Sequence, residues 1–151
     1  MKNSLFTLLL MGILSSCVST QSTLQNVDDH AVIPKLSKTN CFVLTTYSKD
    51  KNYGYEKDYP INVFYKTVSA ATENQERFLN ALSGPKGEKI TYTKTGICCP
   101  FPNTKTEMGV AYLDVYDITW EGLKKPITLY LNSYEKGALM VPVGFTTRLT
   151  P

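Results

Sequence analysis

An α+β domain is the fold class this sequence predicts: a mostly antiparallel sheet of about six strands with one helix packed on it. Three observations lead there. Short runs rich in branched and aromatic residues recur between clusters of turn formers. One stretch alone, following Thr72, takes up a helical period. The last third of the chain alternates apolar and polar residues, as a sheet with one solvated side does. A small β-barrel is the competing architecture.

The first strand is expected over Cys41–Tyr47 and the second over Ile61–Val68, separated by a turn-rich loop from Ser48 to Pro60 that carries Tyr53, Tyr55 and Tyr59. A helix is expected over about 72–83. Thr72 and Gln75 have the spacing of a capping box, Phe78, Leu79 and Leu82 share one helical face, and Gly84-Pro85 stops the run. Lys89–Thr95 reads as the next strand, followed by a meander of Val110–Trp120, Pro126–Ser133 and Ala138–Phe145. The hairpin loops between them are Glu121–Lys125 and Tyr134–Gly137. In the middle strand of the meander Ile127, Leu129 and Leu131 face the expected core, and Thr128, Tyr130 and Asn132 the other side.

Ahead of this domain stand Lys2, the apolar run Leu5 to Leu14, then Ser15, Ser16 and Cys17, which is the order of a secretory signal peptide. The run is too short for a bilayer span, which takes about 20 apolar residues. The ending Leu14-Ser15-Ser16-Cys17 resembles the bacterial lipoprotein signal, and that resemblance implies cleavage before Cys17, a diacylglycerol thioether on its sulfur and an N-acyl chain such as palmitate. It also implies outer-membrane sorting, since Val18 is not the aspartate associated with inner-membrane retention; the periplasmic face is the expected one, with surface export the alternative. The expected organisation is a signal peptide over 1–16, a flexible tether over 17–37 and one globular domain over 38–151. Removing 16 of 151 residues leaves 135, enough for one domain of ordinary size. As a coil, a tether of about 20 residues has a reach of about 25 Å. Lys2 is the only charged residue of the leader, so the mature chain keeps 15 basic against 13 acidic side chains. That balance gives no footprint for nucleic acid, and the membrane is reached through lipidated Cys17.

The oddest stretch of the domain is Gly96-Ile97-Cys98-Cys99-Pro100-Phe101-Pro102, two adjacent thiols among turn formers. The periplasm permits disulfides. Neighbouring Cα atoms lie about 3.8 Å apart, below the usual disulfide span of about 4.4 to 6.8 Å. Cys41 is therefore the easier partner for either thiol. Cys41, Cys98 and Cys99 are the candidate functional or disulfide residues, and a thiol-dependent enzyme or redox protein using Cys98 and Cys99 is the alternative to a noncatalytic domain. No CxxC or HxxxH spacing exists, so neither a metal nor a cofactor is expected. His30, the single histidine, falls in the tether, away from any site. Tyr53, Tyr55 and Tyr59, with Tyr47 and Tyr65 nearby, form a candidate binding surface whose rings suit a peptide or a glycan. Asp114 and Asp117 sit at odd separation on one strand and cannot act as a paired acid and base. Gly84-Pro85-Lys86-Gly87 lacks the length of a phosphate-cradling loop and reads as a turn.

Taken together, Tyr53-Gly54-Tyr55, Pro60-Ile61-Asn62-Val63, Arg77–Leu82, Cys98-Cys99-Pro100-Phe101, Gly122-Leu123-Lys124-Lys125-Pro126 and Pro142-Val143-Gly144-Phe145 resemble a family of small bacterial lipoproteins of unknown function. The resemblance covers most of the mature chain and implies no catalytic residues. Members are sometimes labelled 2-dehydro-3-deoxyphosphooctonate aldolase, an activity housed in a β/α barrel of about 250 residues. A mature chain of 135 residues with one helix does not accommodate that barrel. The reading is a lipid-anchored envelope lipoprotein, a noncatalytic binding or assembly module whose partner is an envelope protein or a cell-wall glycan.

Overall fold

A computed structural model describes residues 22–64 and 69–148. Cys17, Tyr65 and the expected signal peptide lie outside the described residues. The fold is α+β and mostly sheet, and the described strands do not close into a barrel. In chain order the elements are β1 (Ile61–Asn62), α1 (Ser69–Leu79), β2 (Leu82–Ser83), β3 (Thr91–Pro102), β4 (Val110–Thr119), β5 (Ile127–Asn132) and β6 (Thr146–Thr147). They form two sheets rather than one. A four-stranded sheet has the order β1-β5-β4-β3, and β2 pairs with β6 in a separate antiparallel ribbon. Within the larger sheet β3-β4 and β4-β5 are antiparallel, whereas β1 joins β5 in parallel, Ile61 beside Leu131.

Helix α1 begins and ends earlier than its sequence pattern suggests. Gln75, Phe78 and Leu79 are its buried stripe at i, i+3 and i+4, and Glu73 pairs with Arg77 one turn on at 2.6 Å. Gln75 is therefore a core residue and not half of a capping box. The helix cannot run on to Ser83 because Leu82 and Ser83 are taken by the ladder to Thr147 and Thr146. Phe78 and Leu79 pack with Ile61, Tyr116, Ile118, Leu129 and Leu131 in the main core.

The meander is borne out for β4 and β5, and the odd side of β5 is the core side as expected, with Leu129 and Leu131 fully buried. Three other expected strands are not regular strands. Cys41–Tyr47 joins no ladder and makes the single bridges Leu36 to Phe42 and Tyr47 to Val141, with the Phe42 N–H donating to the Arg77 carbonyl at 3.1 Å. Ala138–Phe145 makes a single isolated bridge, at Val141, and turns at Val143-Gly144 before the short β6. The second expected strand shrinks to Ile61–Asn62, with its last four residues outside the described region. Phe42, Leu44, Ile61, Val63, Val141 and Phe145 are buried in the core while Val43, Tyr47 and Val143 are exposed, and the backbone finds partners one residue at a time.

The expected tether is also shorter. From Ser22 onward the chain is packed on the domain: Gln25 donates from its backbone to Asp58 at 2.8 Å, Asp28 to Lys136 at 2.8 Å, and the Asn26 side chain to the Pro60 carbonyl at 3.0 Å. Gly137 makes room for this strap, since a Cβ there would stand 2.5 Å from the Asn26 carbonyl oxygen. Residues 22–37 thus belong to the folded unit, and the exposed His30 lies on its surface.

Candidate functional site

β3 runs straight through the stretch expected to be a loop. Its register with β4 slips twice, between Lys94 and Gly96 and again between Cys98 and Phe101, where Cys99 and Pro100 lie opposite the single residue Tyr112. Pro100 has no N–H for the ladder, so a bulge at this point is the local structure its chemistry favours. Cys99 adopts a left-handed backbone, φ 60°, which turns its side chain back toward its neighbour. Cys98 and Cys99 form a vicinal disulfide, with Cα atoms 3.7 Å apart. This corrects the expectation of a bridge from Cys41. That thiol is free and buried in the main core, where it donates to the Thr39 carbonyl at 3.5 Å. Adjacency excludes a bridge only when both residues keep an extended backbone, and Cys99 does not. A loop this small restrains the unfolded chain far less than a bridge from Cys41 would. The disulfide fixes the shape of the bulge and is not a staple for the whole domain.

Cys99 lies at the wall of a cleft of about 210 Å³ together with Leu24, Pro100 and Phe101 on the apolar side and Lys57 and Asp58 on the charged side. The Lys57 ammonium sits 2.8 Å from Asp58, whose hydrogen bond and charge raise its pKa. Beneath this floor Phe101, Ala111 and Leu113 form a second small core, closed by Leu24, Tyr130 and Tyr134. Two larger depressions lie elsewhere. One, of about 440 Å³, runs between Ile33–Lys35 and Val43–Thr46, and a shallow trough of about 610 Å³ borders Tyr47, Lys86 and Arg148. Neither holds a cysteine, a histidine or a carboxylate.

Of the expected tyrosine surface, Tyr53 lies in the core while Tyr55 and Tyr59 are half-buried. Tyr53 is fully buried, turned inward by a tight turn in which Gly54 has φ 82° and donates to the Tyr59 carbonyl at 2.8 Å. A side chain at Gly54 would meet Ile61 at 2.8 Å. The Tyr53 hydroxyl donates to the Ala138 carbonyl and accepts from the Met140 N–H, so it pins the irregular 138–140 segment to the core. Burial pushes its pKa far up. Tyr59 packs edge-on against Tyr53 at 5.6 Å, and Tyr55 donates to the Val143 carbonyl, its pKa pushed up to about 12 by burial. Tyr53 is thus a core residue, and Tyr55 and Tyr59 pack against the core with part of each ring exposed. The signal that was available is Gly54 itself, since a glycine between two tyrosines marks a turn sharp enough to bury one of them.

Sequence reasoning also missed two polar clusters. Gln75 donates to Asp114 and to the Ser133 hydroxyl and accepts from the Tyr116 hydroxyl at 2.6 Å, while Lys94 pairs with Asp114 at 2.6 Å. Burial first, and then the Asp114 charge, raises the Tyr116 pKa to about 12. The second cluster joins the strap to the sheet. Glu135 accepts from Ser22 at 2.9 Å and Asn132 at 3.1 Å, Asn132 also donates to Asn62, and Asn62 donates to Asn26. Burial raises the Glu135 pKa, opposed by these hydrogen bonds and by the Lys105 charge. Among the described residues no three His, Cys, Asp or Glu side chains gather in a metal-binding group, and no helix is long and apolar enough to cross a membrane. Comparison with protein families, curated proteins and solved structures finds no match for this chain.

Proposed function

We propose that the protein is a lipid-anchored lipoprotein of the cell envelope, held in the outer membrane through Cys17 with its domain in the periplasm as a noncatalytic binding or assembly module for an envelope protein or cell-wall glycan. The observation that carries this reading is the leader ending in Leu14-Ser15-Ser16-Cys17, followed five residues later by Ser22, already hydrogen-bonded to buried Glu135. A secretory leader, an acylation site and a folded domain follow one another with nothing to spare between them. The resemblance to small lipoproteins supports the same reading. The test is metabolic labelling of the full chain with an alkyne fatty acid, followed by membrane fractionation. Label in the outer-membrane fraction, lost in Cys17→Ser, is the expected result. An unlabelled parent chain would sink the proposal.

A second reading, a thiol–disulfide exchange protein, draws on one observation: Cys99 lines a cleft that also contains Lys57. In such an exchange a donor dithiol passes two electrons and two protons to the Cys98–Cys99 bond, which becomes two thiols while the donor becomes a disulfide. Alkylation of the unfolded, unreduced lipoprotein is expected to find one thiol, Cys41, because the Cys17 sulfur is held as a thioether. Three thiols in protein quenched directly from cells would favour the exchange reading. A Cys41 bridge would remove both the vicinal pair and this reading.

A further inference from the structure

The outer end of the β3–β4 hairpin carries more apolar surface than its own fold uses. Ala111 and Leu113 point to one face of β4 and are buried against Phe101 and Leu24. Alternation therefore sends Val110 and Tyr112 to the opposite face, where they are 37 % and 44 % exposed. Ile97, paired with Asp114, lies on that same face at 64 % exposure, and Met108 in the connecting loop is 85 % exposed. An isolated exposed apolar residue needs no explanation, but Met108, Val110 and Tyr112 at the hairpin end, continued about 13 Å along the same face by Ile97, make a stripe that does. Lys105 belongs to the same loop, and its ammonium lies 5.2 Å from the centre of the Phe64 ring. Glu107, two residues on, offsets that charge, and with the exposed Thr104 it gives the apolar side chains a polar rim.

The position of the chain's entry selects the partner. The strap reaches the domain at this same end: Leu24 packs under Phe101 and Ala111, and Ser22 bonds Glu135, next to Tyr134, whose carbonyl accepts from Lys105. Cys17 precedes Ser22 by five residues, and five residues at full extension span at most about 18 Å. We infer that the β3–β4 hairpin tip is a membrane-seating surface, with Ile97, Met108, Val110 and Tyr112 resting in the headgroup and upper acyl region of the bilayer that holds lipidated Cys17. This rests on the lipoprotein reading. A patch this small binds lipid weakly by itself, but the anchor makes its encounter with the membrane intramolecular and keeps the local concentration high. The domain then lies against the membrane, with the β4–β5 turn directed away.

Trp120 is the natural reference for a test, because it stands at the far end of β4, about 30 Å along the strand from Val110. The full chain and its Met108→Trp variant are purified from membranes, the residue-17 peptide is weighed for its lipid, and both proteins are placed in phosphatidylethanolamine–phosphatidylglycerol vesicles carrying nitroxide-labelled lipid. In the variant the added indole is expected to lose about half of its emission to the nitroxide, while Trp120 in the parent loses little. Lipid present on Cys17 with no extra quenching overturns the seating and leaves the lipoprotein reading intact. An unmodified Cys17 overturns both. Quenching replaced by a blue-shifted indole in a cross-linked pair of chains would assign the tip to a second copy and overturn the seating as well.

Discussion

The two ends of β4 are buried on opposite faces, and what covers them differs in kind. At the inner end Tyr116 and Ile118 face α1 and join the main core with Leu129, Leu131, Phe78 and Val141. At the outer end Ala111 and Leu113 face the other way, onto Phe101 and the strap residue Leu24. The inner core is made by elements that bury one another along their length. The outer cluster is three buried residues under a stretch of irregular chain, tied down by Asn26, Asn62, Asn132 and Glu135 and by backbone bonds to Asp58 and Lys136. The inner end should therefore respond to lost volume by unfolding as a whole, and the outer end to a displaced strap by opening locally.

Phe78→Ala removes a fully buried ring from α1 and should cost about 3–5 kcal/mol. It is read as a shift of the urea midpoint with all amides affected alike. Gly137→Ala should cost less, about 1–3 kcal/mol, because its new Cβ presses on the Asn26 carbonyl at 2.5 Å and on the Asn62 amide at 2.9 Å. Its signature is faster hydrogen exchange at Gln25 and Asp28, with the helix amides unchanged. If Gly137→Ala unfolds the domain cooperatively, the two regions are one unit and the distinction between them falls.

The inner core was legible in the sequence, and the outer cluster was not. Phe78, Leu79, Leu129 and Leu131 announce themselves by period, because each is one of several apolar residues on the same face of a regular element. Ala111 and Leu113 alternate as well, but Val110 and Tyr112 alternate beside them, so pattern alone does not say which face is covered. The strap settles that, and its ties are asparagine and backbone bonds in a segment with no apolar period. Tyr53 was lost for a different reason, since burial came from the turn at Gly54 and not from its own position in a pattern. The disulfide needed the left-handed Cys99, a conformation that neighbours impose and spacing does not reveal.

The smallest effect tests the strap through a proton. Glu135 is buried where the strap meets the sheet, and its pKa is raised by loss of solvent. A raised carboxyl pKa means that between the ordinary carboxylate value and the folded value the native state holds more protons than the unfolded chain. Stability from this site is then fully present below the unfolded pKa and is lost as pH rises through the folded one. Glu135→Gln keeps an oxygen that can accept from Ser22 and Asn132 but carries no charge to bury. Its unfolding midpoint should change less than the parent's as pH climbs just above the usual carboxylate range, and above that range the variant should be slightly the more stable. The difference should appear in strap exchange rates before it appears in global melting, because Ser22 and Asn132 are the groups that Glu135 holds. An identical pH profile in parent and variant would mean that Glu135 is solvated in solution, and with it the junction that separates the outer end of β4 from the inner.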